Sequence, residues 1–242
     1  MKYVIITGGS KGLGKGCAEE YLNKGYRVLS ISRTKNEIEH PNLSQFEYDL
    51  TLVNEFLDKF IYSVFNEIKS PKSITLINNA GRLGEINKLD RISSTNISKT
   101  INLNISAPLA ISGLFISHFK AFTGKKNIIN ISSGASLNPY FGWSVYCSSK
   151  IAINMMSATI AEEQKNEENP VKVLSLAPGI VDTNMQSKIR SSSKDAFINI
   201  DRFIELKETN SLSDPNYVAK QIFQLDEENT FVSGEYLDVR KL

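Results

Sequence analysis

The chain has 242 residues and a mass of 27.0 kDa, a length that one hydrophobic core can still serve in an α/β protein. Its 28 Lys and Arg against 26 Asp and Glu leave a formal charge of +2, with 22% charged and 41% hydrophobic residues. These values exclude a disordered or low-complexity chain and carry no footprint for a nucleic-acid partner.

The first β-branched run, Tyr3 to Ile6, breaks at Gly8-Gly9 and is too short for a signal peptide or a membrane span, so a cytoplasmic location is expected. Leu13 to Asn23 suits a helix opened by glycines, and Arg27 to Ile31 is a second strand. Thr51 to Ile68 predicts a helix, with Leu52, Phe56, Phe60 and Val64 at i, i+4 steps forming one apolar stripe. Ser73 to Ile77 is the next strand. Asn96 to Phe122 predicts a helix that is apolar all round, which implies burial on more than one side. Asn127 to Ile131 and Val171 to Leu176 are further strands, with the apolar helix Val145 to Ala161 between them. Only one side of each apolar helix can face a sheet, so the other side predicts a homodimer. Asn184 to Pro215 is polar and rich in Ser and Lys, with isolated apolar residues. It suits a mobile helical insertion, a lid over a ligand crevice. No internal repeat or biased linker occurs, so one domain over residues 1–242 is expected. The strands are nearly all apolar, as expected when both faces are covered. Their alternation with helices predicts a Rossmann-type doubly wound parallel sheet of about seven strands in a three-layer αβα arrangement.

Two cysteines, Cys17 and Cys147, and two histidines, His40 and His118, stand in no ligand spacing, so no disulfide scaffold or metal site is expected. The chemistry lies elsewhere. Thr7-Gly8-Gly9-Ser10-Lys11-Gly12-Leu13-Gly14 follows the first strand and leads into a helix. Missing side chains let the backbone approach a pyrophosphate, and the helix N-terminus offers unpaired N–H groups. Gly8, Ser10, Lys11, Gly12, Leu13 and Gly14 are therefore candidate cofactor contacts. At the end of the second strand an acid would bind a ribose 2′-hydroxyl, but this chain has Arg33, 19 residues after Gly14. Its guanidinium suits a phosphate, and Lys11 adds charge, so the expected cofactor is NADP(H). Tyr146 and Lys150 are i, i+4 on a predicted helix and share a face. An ammonium beside a phenol favours the phenolate, and lowering a pKa of about 10 by about three units corresponds to roughly 4 kcal/mol.

Together these motifs resemble the short-chain dehydrogenase/reductase family over nearly the whole chain. Asp49-Leu50 is similar to the family's adenine contact, and Asn78-Asn79-Ala80-Gly81 to its NNAG strand end. Asn104 resembles the helical catalytic Asn, and Ser133 stands 13 residues before Tyr146, as the family's catalytic Ser does. Pro178-Gly179-Ile180-Val181-Asp182-Thr183 resembles the PGxxxT turn that holds the nicotinamide carboxamide. The resemblance thus implies cofactor contacts at Asp49, Leu50, Asn79, Ala80, Gly81, Tyr146, Lys150, Pro178, Gly179, Val181 and Thr183. A narrower likeness is to sepiapterin reductases, through Gly142-Trp143 and Ser233 to Asp238. A closer one is to bacterial benzil reductases that form (S)-benzoin, through Asn138 to Trp143, Arg190 to Phe197 and Asp201 to Glu208. Where many family members carry a DGG segment, this chain ends Val239-Arg240-Lys241-Leu242, which favours a dimer or monomer over a tetramer.

The resemblance implies carbonyl reduction. Tyr146 gives a proton to the carbonyl oxygen, Ser133 orients that oxygen, Lys150 tunes Tyr146 and holds the nicotinamide ribose, and Asn104 holds a proton-relaying water. Tyr140, Trp143 and Met185, with Ser133 and Tyr146, are candidate substrate contacts. Asp238 falls where sepiapterin reductases anchor the pterin. An aromatic or α-dicarbonyl small molecule of the benzil type is the expected substrate. The alternatives are a pterin side-chain diketone and, from another class, an NADP(H)-binding sensor without turnover.

Overall fold

Val4 and Ile6 of the first strand, β1 (Lys2–Thr7), pack on one side and Ile5 on the other, and all three are fully buried. A strand apolar on both faces is stable only between two covering layers. The computed structural model describes residues 1–242, apart from the side chains of Phe56, Asp58, Lys59, Ile61 and Tyr62, and contains both layers. The sheet comprises β1, β2 (Arg27–Ser32), β3 (Leu43–Glu47), β4 (Ser73–Asn78), β5 (Lys125–Ile131), β6 (Lys172–Ala177) and β7 (Tyr236–Asp238). All pairings are parallel, in the order β3-β2-β1-β4-β5-β6-β7, with Ile5 opposite Leu29 on one side and Leu76 on the other. The doubly wound parallel sheet is thus as expected. β3 and β7 were not singled out from the sequence. They are the two edge strands, one of mixed polarity (LSQFE) and one three residues long.

Helices α1 (Gly12–Asn23) and α8 (Pro215–Glu228) cover one face, placing Cys17, Tyr21, Ala219 and Ile222 against Val4, Ile6 and Ile129. On the other face, α2 (Val53–Ser63), α4 (Ala107–His118) and α5 (Ser144–Gln164) place Phe60, Ile111, Phe115 and Ile153 against Ile5, Leu29 and Leu76. Each such side chain contributes about 1.5–3 kcal/mol when fully buried, which fixes the sheet between its helices.

Several boundaries differ from expectation. Of the expected stripe on residues 51–68, Phe60 and Val64 are buried, Leu52 is exposed just before the helix, and Phe56 lies outside the described residues. A short 3₁₀ turn, Phe65–Glu67, follows α2. The long helix expected over 96–122 is α3 (Ser94–Ile101) and α4 separated by a π turn at Asn102–Ser106. Ser94–His118 is long and apolar enough to cross a membrane by length and composition alone, but here Ala107, Ile111 and Phe115 pack on the sheet. The outer side of α4 and α5 leaves Leu109, Ile151 and Met155 45%, 45% and 66% exposed. The segment after Thr183 forms α6 (Asn184–Arg190) and α7 (Ile200–Glu208). Its expected end, Pro215, instead opens α8, because the Asp214 side chain accepts from the N–H groups of Asn216 and Tyr217 and Pro is favoured in a first turn.

The chain crosses from β1 outward to β2, while β4 lies on the other side of β1. Ligands of open parallel sheets bind in the crevice at such a switch point, outside the carboxyl ends of the strands. The loops leaving β1 and β4 there are Gly8 to Lys11 and Asn79 to Gly81.

Candidate active site

Gly8 and Gly14 of the loop have no room for a side chain. Gly8 has φ +71°, and a Cβ on Gly14 would lie 2.2 Å from the Gly8 carbonyl oxygen and 2.5 Å from Asn79 Nδ2. Asn79 is itself a clamp: its Nδ2 donates to the carbonyl oxygens of Thr7 at 3.0 Å and Gly8 at 3.2 Å. Thr7 Oγ1 accepts from the backbone N–H of both Asn79 and Ala80, tying the ends of β1 and β4 together. At the N-terminus of α1 the cap residue, Lys11, makes no side-chain capping bond. First-turn N–H groups therefore remain open to an anion, and the helix dipole favours negative charge there. A Cβ on Gly12 would lie 3.1 Å from the Thr183 methyl, so the Pro178–Thr183 turn closes over the same loop. Gly179, at φ +78°, allows that turn. This cradle fits the pyrophosphate of a dinucleotide.

The flanking residues fit the rest of such a cofactor. Lys11 and Arg33 are exposed beside the loop, and neither has an ion-pair partner among the described residues. Asp49 follows β3. Burial opposes ionisation of its carboxyl, but hydrogen bonds from the Thr51 backbone and hydroxyl, with Arg33 nearby, hold its pKa below the ordinary value. Leu50 is buried against the core, and Val181 bridges to Ser213.

Ser133, Tyr146, Lys150 and Asn104 converge at the carboxyl ends of β4 and β5. Tyr146 and Lys150 sit one turn apart on α5 and are both buried. A point one Cβ bond from Gly81 lies 3.6 Å from Lys150 Nζ and 3.5 Å from Asn104 Oδ1, which brings those two groups to the end of β4. Lys150 Nζ donates to the Ile131 carbonyl oxygen at 2.8 Å and stands 5.8 Å from the centre of the Tyr146 ring. The expected lowering of the Tyr146 pKa is not found. Burial pushes the phenol up to about 12, against the opposing pull of the Ser133 hydroxyl. Burial also brings Lys150 down to about 8, which leaves it mostly cationic at neutral pH but able to release its proton just above it. Asn104, carried on the π turn, uses its amide to grip Arg82: Nδ2 donates to the Arg82 carbonyl at 2.9 Å and Oδ1 accepts from the Arg82 N–H at 2.9 Å. Ser133 Oγ also accepts from the Ala135 N–H at 3.1 Å.

An aromatic cluster walls one side of Tyr146. Trp143 meets its ring edge-on at 5.6 Å and stacks on Phe197 at 4.7 Å with a 6° interplanar angle. Phe203 and Tyr140 complete the cluster, and Met185 and Ile189 pack against it. The substrate candidates Tyr140, Trp143 and Met185 thus meet Tyr146, through residues of α6, α7 and the loop between them. Asp238 stands at the end of β7, but Arg240 donates to both of its carboxylate oxygens. A separate cleft of about 480 Å³, bordered by Ala158, Glu162, Lys172 and Gly234, contains none of the expected site residues.

Two contributors escaped the sequence analysis. One is Asn154, whose amide joins Ser132, Ser136 and Ser175 beneath the site; its i, i+4, i+8 relation to Tyr146 and Lys150 was an available signal. The other is Arg240, which follows no motif.

With this geometry in place, comparison with known proteins is informative. The family model described as short chain dehydrogenase matches residues 2–194. The chain belongs to the short-chain dehydrogenases. It is 42% identical over 243 residues to a benzil reductase ((S)-benzoin forming) of Bacillus subtilis (strain 168), covering 100% of this chain and 99% of that protein. It is 29% identical over 252 residues to sepiapterin reductase of Mus musculus, covering 97% and 95%. Among solved structures it is similar to a short-chain dehydrogenase/reductase from Saccharomyces cerevisiae, with TM-score 0.86, 26% identity and coverage of 99% and 96%. It is also similar to ElxO with NADP bound, with TM-score 0.78, 28% identity and coverage of 98% and 96%. As a short-chain dehydrogenase it is an oxidoreductase with a small-molecule substrate, on a fold that binds a nicotinamide cofactor.

Proposed function

We propose that the protein is an NADPH-dependent reductase of a carbonyl in aromatic or α-dicarbonyl compounds, of the benzil to (S)-benzoin type. The observation that carries this reading is a buried phenol, Tyr146, within electrostatic reach of the Ser133 hydroxyl, one helical turn from Lys150 and walled by Trp143, Phe197, Phe203 and Tyr140. An aromatic wall beside a single proton donor suits a flat, apolar carbonyl compound. The reductase names of the relatives at 42% and 29% identity support the same chemistry.

The glycine loop and the Pro178–Thr183 turn would hold a reduced nicotinamide cofactor, which would supply hydride to the carbonyl carbon when bound. Tyr146 gives its phenolic proton to the carbonyl oxygen, while Ser133 donates a hydrogen bond to that oxygen as negative charge develops. With a pKa near 12 the phenol is fully protonated at neutral pH, so the proton is present to be given. Lys150, with a pKa near 8, exchanges protons close to neutrality and returns one to Tyr146, replenished from solvent through a water held by Asn104. Lys150 would also hold the nicotinamide ribose. NADPH is preferred over NADH because Arg33 and Lys11 are exposed cations without an ion-pair partner among the described residues, and their charge suits a 2′-phosphate.

The segment 184–213 serves as a lid, since Ile189, Phe197 and Phe203 carry its packing directly onto Trp143 and Tyr146. Leu109, Ile151 and Met155 face a second copy of the chain in a homodimer. Both cysteines are free, in keeping with a cytoplasmic enzyme. The reading is tested by following NADPH oxidation with a panel of carbonyl compounds. Turnover of 1,2-diketones to single hydroxyketones supports it. Turnover of sugars or 3-oxoacyl thioesters with none of diketones overturns it, and binding without any turnover favours a sensor.

A further inference from the structure

Beyond the residues that perform the reaction, one charged side chain enters the site from the C-terminal end of the chain. Arg240 Nε donates to Asp238 Oδ1 at 2.9 Å, Nη2 donates to Oδ2, and the Arg240 backbone N–H also donates to Oδ1 at 3.0 Å. The Arg240 side chain then lies across two segments of the site. Its Cγ and Cδ lie 3.2 and 3.3 Å from the point where a Cβ on Gly179 would stand, over the turn that follows β6. Its Nη2 lies 3.6 Å from the corresponding point on Gly134, the residue after Ser133. Half of the side chain remains exposed, and the phenols of Tyr236 and Tyr140 are near enough to act on its charge.

Two consequences follow from elementary chemistry. A guanidinium has five N–H donors, and Asp238 takes one from Nε and one from Nη2, so three remain for a ligand beside Ser133. Asp238 also cancels the positive charge. The pair therefore offers hydrogen-bond donors without net charge, which favours a neutral carbonyl oxygen over a carboxylate that Asp238 would repel. The same pairing takes three of the roughly four acceptor sites of Asp238, so this acid has little capacity left to anchor an amino or amidine group of a ligand.

We propose that Arg240 is a specificity-determining residue that donates to the second, non-reacting carbonyl oxygen of a neutral 1,2-dicarbonyl substrate, with Asp238 fixing and neutralising it. This rests on the reading of the site as a dicarbonyl reductase. Arg240 takes no part in proton or hydride transfer; it holds the neighbouring carbonyl so that the reacting one faces Ser133 and Tyr146.

The test compares kcat/KM for a diaryl 1,2-diketone, a matched aryl monoketone and an aryl 2-oxoacid. Losing one hydrogen bond from a charged donor lowers kcat/KM by about tenfold or more, so Arg240→Met is expected to impair the diketone by that factor, chiefly through KM. The monoketone, lacking the second oxygen, should change by less than about threefold, and Arg240→Lys should restore part of the diketone rate. Asp238→Asn leaves an uncancelled cation and should shift preference from the diketone toward the oxoacid. An equal loss on diketone and monoketone would show a merely structural role, and no loss on either would also overturn the proposal. Wild-type enzyme that turns over no diketone refutes the reading of the site itself; wild-type turnover with an unchanged ratio in Arg240→Met refutes the role of Arg240 alone.

Discussion

Gly14→Ala is the sharpest probe of the cofactor cradle, because its cost is set by two close approaches in the loop. The added methyl would stand 2.2 Å from the Gly8 carbonyl oxygen and 2.5 Å from Asn79 Nδ2, closer than non-bonded atoms approach, and the first of these belongs to backbone. Relief requires α1 to move away from the loop or the Asn79 amide to release Thr7 and Gly8. Overpacking of this kind costs about 1–3 kcal/mol. At roughly 2–4 °C per kcal/mol for a chain of this size, Tm falls by about 2–12 °C. The same displacement reshapes the loop that would receive the pyrophosphate, so NADP affinity falls by about tenfold or more, each factor of ten being about 1.4 kcal/mol. Gly81→Ala is the internal control: its Cβ meets Asn104 Oδ1 at 3.5 Å and Lys150 Nζ at 3.6 Å, ordinary contacts. That variant is expected to hold its Tm within about 2 °C, since ordinary van der Waals contacts require no neighbour to move. Thermal melts with and without NADP, and isothermal titration of NADP, read both quantities. Wild-type stability and wild-type affinity in Gly14→Ala would refute the argument that the loop is closed to side chains.

Three further outcomes follow from the site and the surface. In the cofactor-free protein, the phenolate absorbance difference between wild type and Tyr146→Phe should develop only as pH approaches about 12, because burial raises that phenol above its ordinary pKa. Its raised folded value means that its share of stability is intact below about pH 10 and is lost as pH climbs through the folded value; a difference signal near neutrality would contradict this. Arg33→Ala should raise KM for NADPH by roughly 10- to 100-fold, the loss of a charge-assisted contact, while KM for NADH stays nearly constant; an equal change for both cofactors would remove Arg33 from the phosphate site. Charges placed on the exposed apolar face by Ile151→Glu with Met155→Lys should convert a dimer to monomers in light scattering, and an unchanged mass would move the interface elsewhere.

The parts of the fold most legible in the sequence are those buried on both sides. Val4, Ile5 and Ile6, or Ile128 and Ile129, announce central strands because both faces must be apolar. Leu43 to Glu47 and Tyr236 to Asp238 do not, since an edge strand with one partner needs neither length nor an apolar run. The break between α3 and α4 was also hidden, because the π turn at Asn104 is stabilised from outside the helix, by the bonds of Asn104 to Arg82 and Ser149. Spacing placed Tyr146 and Lys150 on one face correctly, but spacing carries no information about depth. Burial of both groups, and the turn of Lys150 Nζ toward Ile131, reverse the expected direction of the Tyr146 pKa. The same limit hid Asp226, a fully buried carboxylate that accepts from Tyr21, Thr75 and Asn127 and binds α8 to the base of the sheet. Its partners are 99 to 205 residues away in sequence, beyond the reach of any local pattern.

Carbonyl reduction with Tyr146 as the proton donor stands or falls on the Tyr146→Phe variant. The substitution removes one oxygen from a buried ring that stays packed against Trp143. Fold and NADPH binding are therefore expected to persist, while kcat for diketone reduction falls by about 10²- to 10⁴-fold, the contribution of a positioned general acid. A folded, NADPH-binding Tyr146→Phe enzyme that keeps most of the wild-type kcat would contradict the account.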